Sequence, residues 1–486
     1  MDRLVSPFVG GNRVTCSASS IPVVNPGTGD TLFNLEVSTA EIVDRAVRGS
    51  YALLSTLRYE TTNARAARLR LISHTICANA ESIAESLSLE TGKSRNNAFQ
   101  EVQSCSNIFD FYASEALRLS GRYFPSLRTG EQAIVSLEPV GVVGAITPFN
   151  YPLTLLSIKV APALAAGCPV VAKPSPETPS ATLQLAELCC QAGLEPDLFN
   201  VVTGGASVGQ MLIDHPLIAK ISFTGSFDVG RQVAAAAASG LKRLTLELGG
   251  QSPALVAADV NSELVSLTLA NQAFENAGQF CYRPARIFVE SILYEQFIEN
   301  LREHALSKVV ASADNPEAEI GPLRNKSAYE KVMRHIQDAL DHGARLLCGG
   351  NRINDQGYEN GYFVSPTVLV DVDPSMLVMR EETFGPVVAV TSVDCLEHAI
   401  PLANSTPYGL AGYVFCSDLD RGWRLADQIE AGSVWVNVVH HTDIQVPFGG
   451  RKASGLGREK GREGLFEYLE TKTLYLGRET YDFSGV

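Results

Sequence analysis

The chain has 486 residues, 45% of them hydrophobic and 19% charged, and a formal charge of −14. That length exceeds the roughly 250–300 residues at which one hydrophobic core stops growing, so two or more lobes are expected. The acidic balance argues against a nucleic-acid partner, which needs clustered Lys and Arg to neutralise phosphates, and the composition is that of a folded globular protein without low-complexity segments.

The N-terminus, MDRLVSPFVGG, lacks the charged start and apolar core of a signal peptide, so the cytoplasm is the default expectation. After an irregular start, apolar residues at helical spacing predict helices over 39–57, 63–91 and 97–119. From 141 the runs VGVVGAI, CPVVAKP, LFNVVTG, IAKISFTG and KRLTLELGG read as strands. Each of the first four is followed by an amphipathic Ala-rich or Leu-rich segment, the βαβ rhythm of a parallel sheet. The stretch 153–172 has the length of a membrane span, but Lys159, Pro162, Gly167 and Pro169 interrupt it. A buried helix followed by a buried strand is expected there, with no membrane partner. A second α/β series follows from 251, with helices near 262–276, 292–310, 325–343 and 418–430 and strands at RIFVE, GYVFC and GSVWVN. TKTLYLG at 471–477 closes the series as a short alternating strand.

Ten cysteines are scattered without any CxxC, and the vicinal Cys189 and Cys190 fall in a helical pattern, so neither a metal site nor a disulfide framework is indicated. Most read as small buried hydrophobes. Cys281 has company: it lies in GQFCYRPAR at 278–286, in a chain that also carries ELGG at 247–250, and a thiol with a carboxylate suggests covalent catalysis. TPFNYPL at 147–153 and EETFGPV at 381–387 complete a set of four spaced motifs. Taken singly, each has a plainer reading. Asn150 is a turn residue beside Pro152, Glu247 and Lys173 are solvated charges at strand ends, and Gly225 and Gly230 in FTGSFDVGRQV form a structural turn.

Together and in this order the motifs resemble the aldehyde dehydrogenase superfamily, in its NAD(P)-dependent hydrolytic, non-acylating branch, along nearly the whole chain. The resemblance implies an α/β fold with a Rossmann-like dinucleotide-binding lobe over 1–129 and 142–249. It also implies a second α/β catalytic lobe over 250–455 and a small β oligomerisation arm over 130–141 and 469–486. In the family the segments EQAIVSLEPVG and TKTLYLG pair across subunits, which implies a homodimer or homotetramer.

The implied chemistry is oxidation of a small-molecule aldehyde to its acid. Cys281 adds to the carbonyl carbon, the adduct releases hydride to nicotinamide, and a thioester remains. Asn150 and the backbone N–H of Cys281 would cradle the oxyanion, and Glu247 would activate water for hydrolysis. Lys159 corresponds to a lysine of the family's proton path, although an i,i+4 partner or a buried ion pair explains it equally. For the dinucleotide the resemblance points to Thr147, Pro148, Lys173, Pro176, Gly225, Ser226, Gly230, Glu382 and Phe384. Lys173 would serve the adenosine ribose and Glu382 the ribose beside nicotinamide. One departure concerns selectivity. Many NAD-specific relatives carry Glu three residues after this lysine, and here Pro176 stands there with Glu177 following, so NAD is favoured with NADP possible.

The substrate tunnel would be lined by Tyr151, Leu155, Ile158, Phe280, Tyr282 and Phe448, with the loop 438–445, giving an aromatic and aliphatic wall. Arg283 and the adjacent His440 and His441 are candidates for holding an acidic tail, although paired loop histidines more commonly face solvent. PFGGRKASGLGREKG at 447–461 resembles the family's closing signature, and Asn437 would anchor the loop before it. The alternatives are a CoA-acylating semialdehyde dehydrogenase and a catalytically silent relative. Glu247 speaks against the first, and Cys281, Glu247 and Asn150 together against the second.

Overall fold

The computed structural model describes every residue except 1, 2, 17, 18, 126, 129, 130, 355, 356, 440–442 and 478–486. The five apolar runs of the first series form the parallel centre of an eight-stranded sheet. Its strands lie in the spatial order Arg243–Glu247, Ile218–Thr224, Val142–Ile146, Val170–Lys173 and Phe199–Val201. These strands read as nearly continuous apolar runs because helices cover both faces. The chain builds outward from Val142–Ile146 in one direction and then crosses back to Ile218–Thr224 on the other side. The order therefore reverses between these two strands, and the crevice beyond their C-terminal ends is where open parallel sheets bind ligands.

The second series forms a seven-stranded sheet ordered Arg345–Cys348, Thr367–Val370, Val387–Val393, Pro284–Glu290, Ser252–Val256, Ala411–Phe415 and Ser433–Val436. All its pairings are parallel except the first. The chain leaves the first sheet at Glu247 and enters the second at Ser252. The C-terminal ends of one sheet therefore face the N-terminal ends of the other across the ELGG turn.

The interrupted stretch 153–172 is a buried helix, Pro152–Ala166, followed by the buried strand Val170–Lys173. Pro152 starts the helix, where its missing N–H costs nothing, and Gly167 ends it at φ 90. The Arg65 guanidinium donates to Ala166 O at 2.8 Å, in space that a Cβ on Gly167 would occupy. Among the described residues no helix is long and apolar enough to cross a membrane.

Three expectations are corrected. The helix expected over 63–91 is two, Thr62–Ala78 and Ala80–Thr91, broken where the Asn79 amide donates to Thr75 O at 2.8 Å and competes with the backbone ladder. The start of the chain is not irregular, since Leu4–Val5, Ser20–Val24 and Thr31–Glu36 form a small sheet and Phe8–Val9 joins the large one. The arm strands Glu131–Pro139 and Leu469–Gly477 pair with each other antiparallel within one chain rather than across subunits, in register from Leu469 opposite Pro139 to Gly477 opposite Glu131. Residues 130 and 478–486 of the expected arm lie outside the described residues.

Candidate active site

Cys281 sits on a loop whose course is held by its own backbone. The helix Ser262–Phe274 runs into a short turn in which Asn276, Ala277 and Gly278 all adopt positive φ, at 48, 56 and 68°. Gly278 is required there, because a Cβ would lie 2.1 Å from Gly385 O. Gln279 then ties the loop down: its amide donates to Pro322 O at 3.3 Å, and its Oε1 accepts from Arg324 N at 2.9 Å. Cys281 follows, half-buried, at the junction of two cavities of about 330 and 220 Å³. Burial, then the charges of Glu382 and Glu247, push its thiol above the usual range, and Lys460 acts in the opposite sense. The resting group is a thiol, so attack needs a proton acceptor.

Asn150 lies where the chain leaves strand Val142–Ile146 for the helix Pro152–Ala166. Its amide donates to Gln279 O at 3.0 Å and its Oδ1 is buried without a partner. Behind it stands a buried ion pair that the sequence did not single out. Lys93 Nζ donates to Glu101 Oε2 at 2.6 Å and to Asn150 O at 2.8 Å. Glu101 Oε1 accepts from Leu153 N at 2.9 Å and Thr154 N at 3.1 Å, capping free N–H groups at the helix start. The pair thus fixes the Asn150 loop and the helix behind it as one unit.

Glu247 ends its strand with both carboxylate oxygens buried and unpartnered. Burial, then the neighbouring charge of Glu459, raise it well above the usual carboxylate range, while Lys159 pulls it down. Gly449 leaves its space: a Cβ there would stand 2.6 Å from Glu247 Oε1. Lys159 is fully buried and pairs with Glu459, so between an i,i+4 partner and a buried ion pair the structure shows the ion pair. Glu459 and Lys460 were missed, although both lie within the closing motif, where their charges stand among glycines. Lys460 lines the 220 Å³ cavity, its Nζ 5.6 Å from the Phe448 ring centroid, and burial lowers it to about 8.

The larger cavity is lined by Pro148, Asn150, Gly225, Ser226, Glu382 and Phe384, among others, and ends on Glu247 and Cys281. Glu382 Oε1 accepts from Gly250 N at 3.0 Å, and its other oxygen stands 2.3 Å from where a Gly249 Cβ would be. The two glycines after Glu247 thus make the bed for this carboxylate. Phe384, at φ 53, meets Phe149 edge to face at 6.1 Å. Ser226 holds the N-cap position of the helix Phe227–Ser239 without a side-chain capping bond, leaving first-turn N–H groups for an anion. Gly225 lies in this turn. Gly230 packs instead: its Cβ would fall 2.3 Å from Leu248. Buried Thr147 and Thr224 hydroxyls lack partners beside the strand ends. Lys173 donates to Pro174 O at 3.0 Å and Gly204 O at 3.1 Å, and burial lowers it to about 8. Pro176 follows on that strand's exit loop. Glu177 is committed elsewhere, accepting from Asn325 Nδ2 at 2.6 Å.

The smaller cavity brings together Tyr151, Leu155, Ile158, Phe280, Tyr282 and Phe448, as the sequence implied, and Tyr282 meets Phe448 at 5.5 Å and Phe280 at 5.0 Å. Its wall is less apolar than expected, because the helix Arg95–Ala116 contributes Asn97, Gln100 and Ser104 and the turn after residue 274 contributes Glu275. Arg283 is corrected: it is buried and donates to Val387 O at 2.7 Å, which holds two strand entries together and keeps it out of the cavity. His440 and His441 lie outside the described residues. Asn437 anchors its loop by a two-way pairing with the Cys416 backbone, at 2.9 and 2.7 Å.

The comparisons with known proteins agree with this geometry. The pattern of the aldehyde dehydrogenase family matches residues 14–474. The chain is 37% identical to a succinate semialdehyde dehydrogenase of Acinetobacter baylyi over 95% of each protein. It is likewise 37% identical to a betaine aldehyde dehydrogenase of Cereibacter sphaeroides over 98% of each. The crystal structure of a betaine aldehyde dehydrogenase from Staphylococcus aureus with NAD+ superposes with a TM-score of 0.96 at 32% identity, covering 99% of this chain and 96% of that one. With a thiol, an amide and a carboxylate converging where two cavities meet, and with that likeness running end to end, the chain belongs to the aldehyde dehydrogenase family.

Proposed function

We propose that the protein oxidises an aldehyde to its carboxylic acid with NAD(P), through a thioester on Cys281. The observation that carries this reading is that Cys281, Asn150 and Glu247 line both cavities, so a substrate in one and a dinucleotide in the other meet at the same thiol. The larger cavity suits the nicotinamide end of a dinucleotide whose adenosine end would reach Lys173 beyond it. Glu382 offers a carboxylate to ribose hydroxyls, the helix start at Ser226 offers N–H groups to pyrophosphate, and Lys173 stands at a strand end. When bound, it supplies the hydride acceptor.

Glu247 takes the Cys281 proton, and the sulfur adds to the carbonyl carbon. The oxygen becomes an anion stabilised by the Asn150 amide and the Cys281 N–H. As the C=O reforms, the carbon loses hydride and the thioester remains on Cys281. Glu247, free of its proton, then accepts one from water, whose oxygen adds to the thioester carbon. The sulfur leaves as thiolate and the acid is released. Lys159 and Glu459 stand next to Glu247 as the route by which its proton returns to solvent. A carboxylate at Glu247 on the same cavities as Cys281 favours hydrolysis over transfer to CoA, since it supplies a base for water. Pro176 leaves no carboxylate three residues after Lys173, so both NAD and NADP are accepted. The paired arm strands expose Ile134 and Leu474 as cross-strand neighbours, an apolar face suited to a second copy in a homodimer or homotetramer, and the cytoplasm is the proposed location. Replacing Cys281 by Ala tests the reading: aldehyde oxidation is expected to vanish while dinucleotide binding persists, and an active variant would overturn it.

A further inference from the structure

Glu275 stands at the outer end of the substrate tunnel. This residue lines both the 220 Å³ cavity and a larger outer cavity of about 820 Å³, as does Asn97, so the two spaces meet at these side chains. Glu275 Oε1 accepts from the Tyr151 hydroxyl at 2.8 Å, and the carboxylate is half-buried, set between tunnel and vestibule. An aldehyde whose carbonyl reaches Cys281 therefore extends its other end toward an anion.

Two cations, Lys93 and Lys460, lie on the tunnel wall among the described residues, and other groups engage both. Lys93 is spent on Glu101 and Asn150 O, and Lys460 stands over Phe448 beside Glu459. The outer cavity carries the same sign. Its wall holds Glu85, Asp314, Glu317 and Glu319 beyond Glu275, against Arg95 and Lys308, and Lys308 is tied to Glu319 at 2.7 Å. The ring of Tyr282 adds a face that favours a cation, whereas the Tyr151 ring already carries Lys93 Nζ at 4.0 Å from its centroid. Resting on the proposed aldehyde oxidation, we infer that this site selects aldehydes with a cationic tail over those with an anionic tail, and that Glu275 sets the preference. Relatives acting on both classes are equally similar in sequence, so the tunnel charge is what separates them here.

The test uses pairs that differ chiefly in charge. The wild type and Glu275→Gln are assayed for kcat/KM with a 4-trimethylammonium butanal and its neutral carbon isostere 5,5-dimethylhexanal, and with succinate semialdehyde and its methyl ester. The wild type is expected to prefer the cation over its isostere by about tenfold or more and to disfavour the acid relative to its ester, as like charge in a cleft dictates. Glu275→Gln is expected to collapse both ratios toward unity, and Glu275→Arg to invert them. A wild-type preference for the acid, or ratios unmoved by Glu275→Gln, would overturn the inference. If the neutral aldehydes alone are oxidised with reduction of the dinucleotide, the catalytic reading stands and the charge reading fails. If none of the four is oxidised, the catalytic reading fails too.

Discussion

Replacing Glu247 by Gln separates the two halves of the proposed cycle. The substitution keeps the shape and removes the charge and the base. A positioned general base contributes about 10²–10⁴-fold, so steady-state turnover should fall by about that factor, with the loss in deacylation. A burst of reduced dinucleotide should persist at a pH where some Cys281 is thiolate without help. The native fold should also gain stability. Both Glu247 oxygens are buried and unpartnered, and its folded pKa stands above the unfolded value. By linkage, a group with a raised pKa contributes its full stability below the unfolded pKa, about 4.3 for Glu, and loses it as pH rises toward the folded value. The gain in Glu247→Gln should therefore appear only above the ordinary carboxylate range and grow with pH, because Gln keeps the unpaired polar group but sheds the buried charge. Stopped-flow absorbance at 340 nm, with denaturation curves at pH 5 and 8, reads both effects. Wild-type turnover in the variant would refute the role, a burst lost at every pH would show that acylation cannot proceed without Glu247, and a loss of stability at pH 8 would refute the burial argument.

The Lys93–Glu101 pair should behave as one unit. Lys93→Met leaves a buried anion, costs about 3–5 kcal/mol and lowers kcat through a displaced Asn150. Adding Glu101→Gln should cost less than the sum of the single changes, and strict additivity in urea denaturation would contradict the clamp. Pro176→Glu should reduce kcat/KM for NADP while sparing NAD, by repulsion of the 2′-phosphate. An unchanged NADP to NAD ratio in a folded variant would place that discrimination elsewhere, and not on Glu177, whose carboxylate is held by Asn325.

The sequence disclosed most of what depends on local pattern. Five apolar runs became the parallel strands of the first sheet, and the breakers in 153–172 marked where the buried helix ends and the next strand begins. Cys281, Asn150 and Glu247 were legible because each sits in a recognisable motif. What stayed hidden depends on distant partners. Nothing local shows that Lys93 reaches Asn150, 57 residues on, or that Lys159 meets Glu459, 300 residues on. Glu275 looked like the end of an amphipathic helix until the positive φ values that follow it turned the chain into the tunnel wall. Arg283 looked available because it stands two residues from Cys281, yet the strand it opens buries it against Val387. The split at Asn79 was hidden because the apolar spacing continues across it.

The central claim is a covalent acyl intermediate on Cys281, and the most direct measurement is its capture. Glu247→Gln, mixed with a neutral aldehyde and NAD and quenched in acid, is digested and read by mass spectrometry. The account predicts one acyl group, with the mass of the aldehyde less one hydrogen, on the peptide that contains Cys281, and none when NAD is omitted. Reduction of NAD without any acyl mass on Cys281, or with the acyl group on another of the ten cysteines, would contradict it.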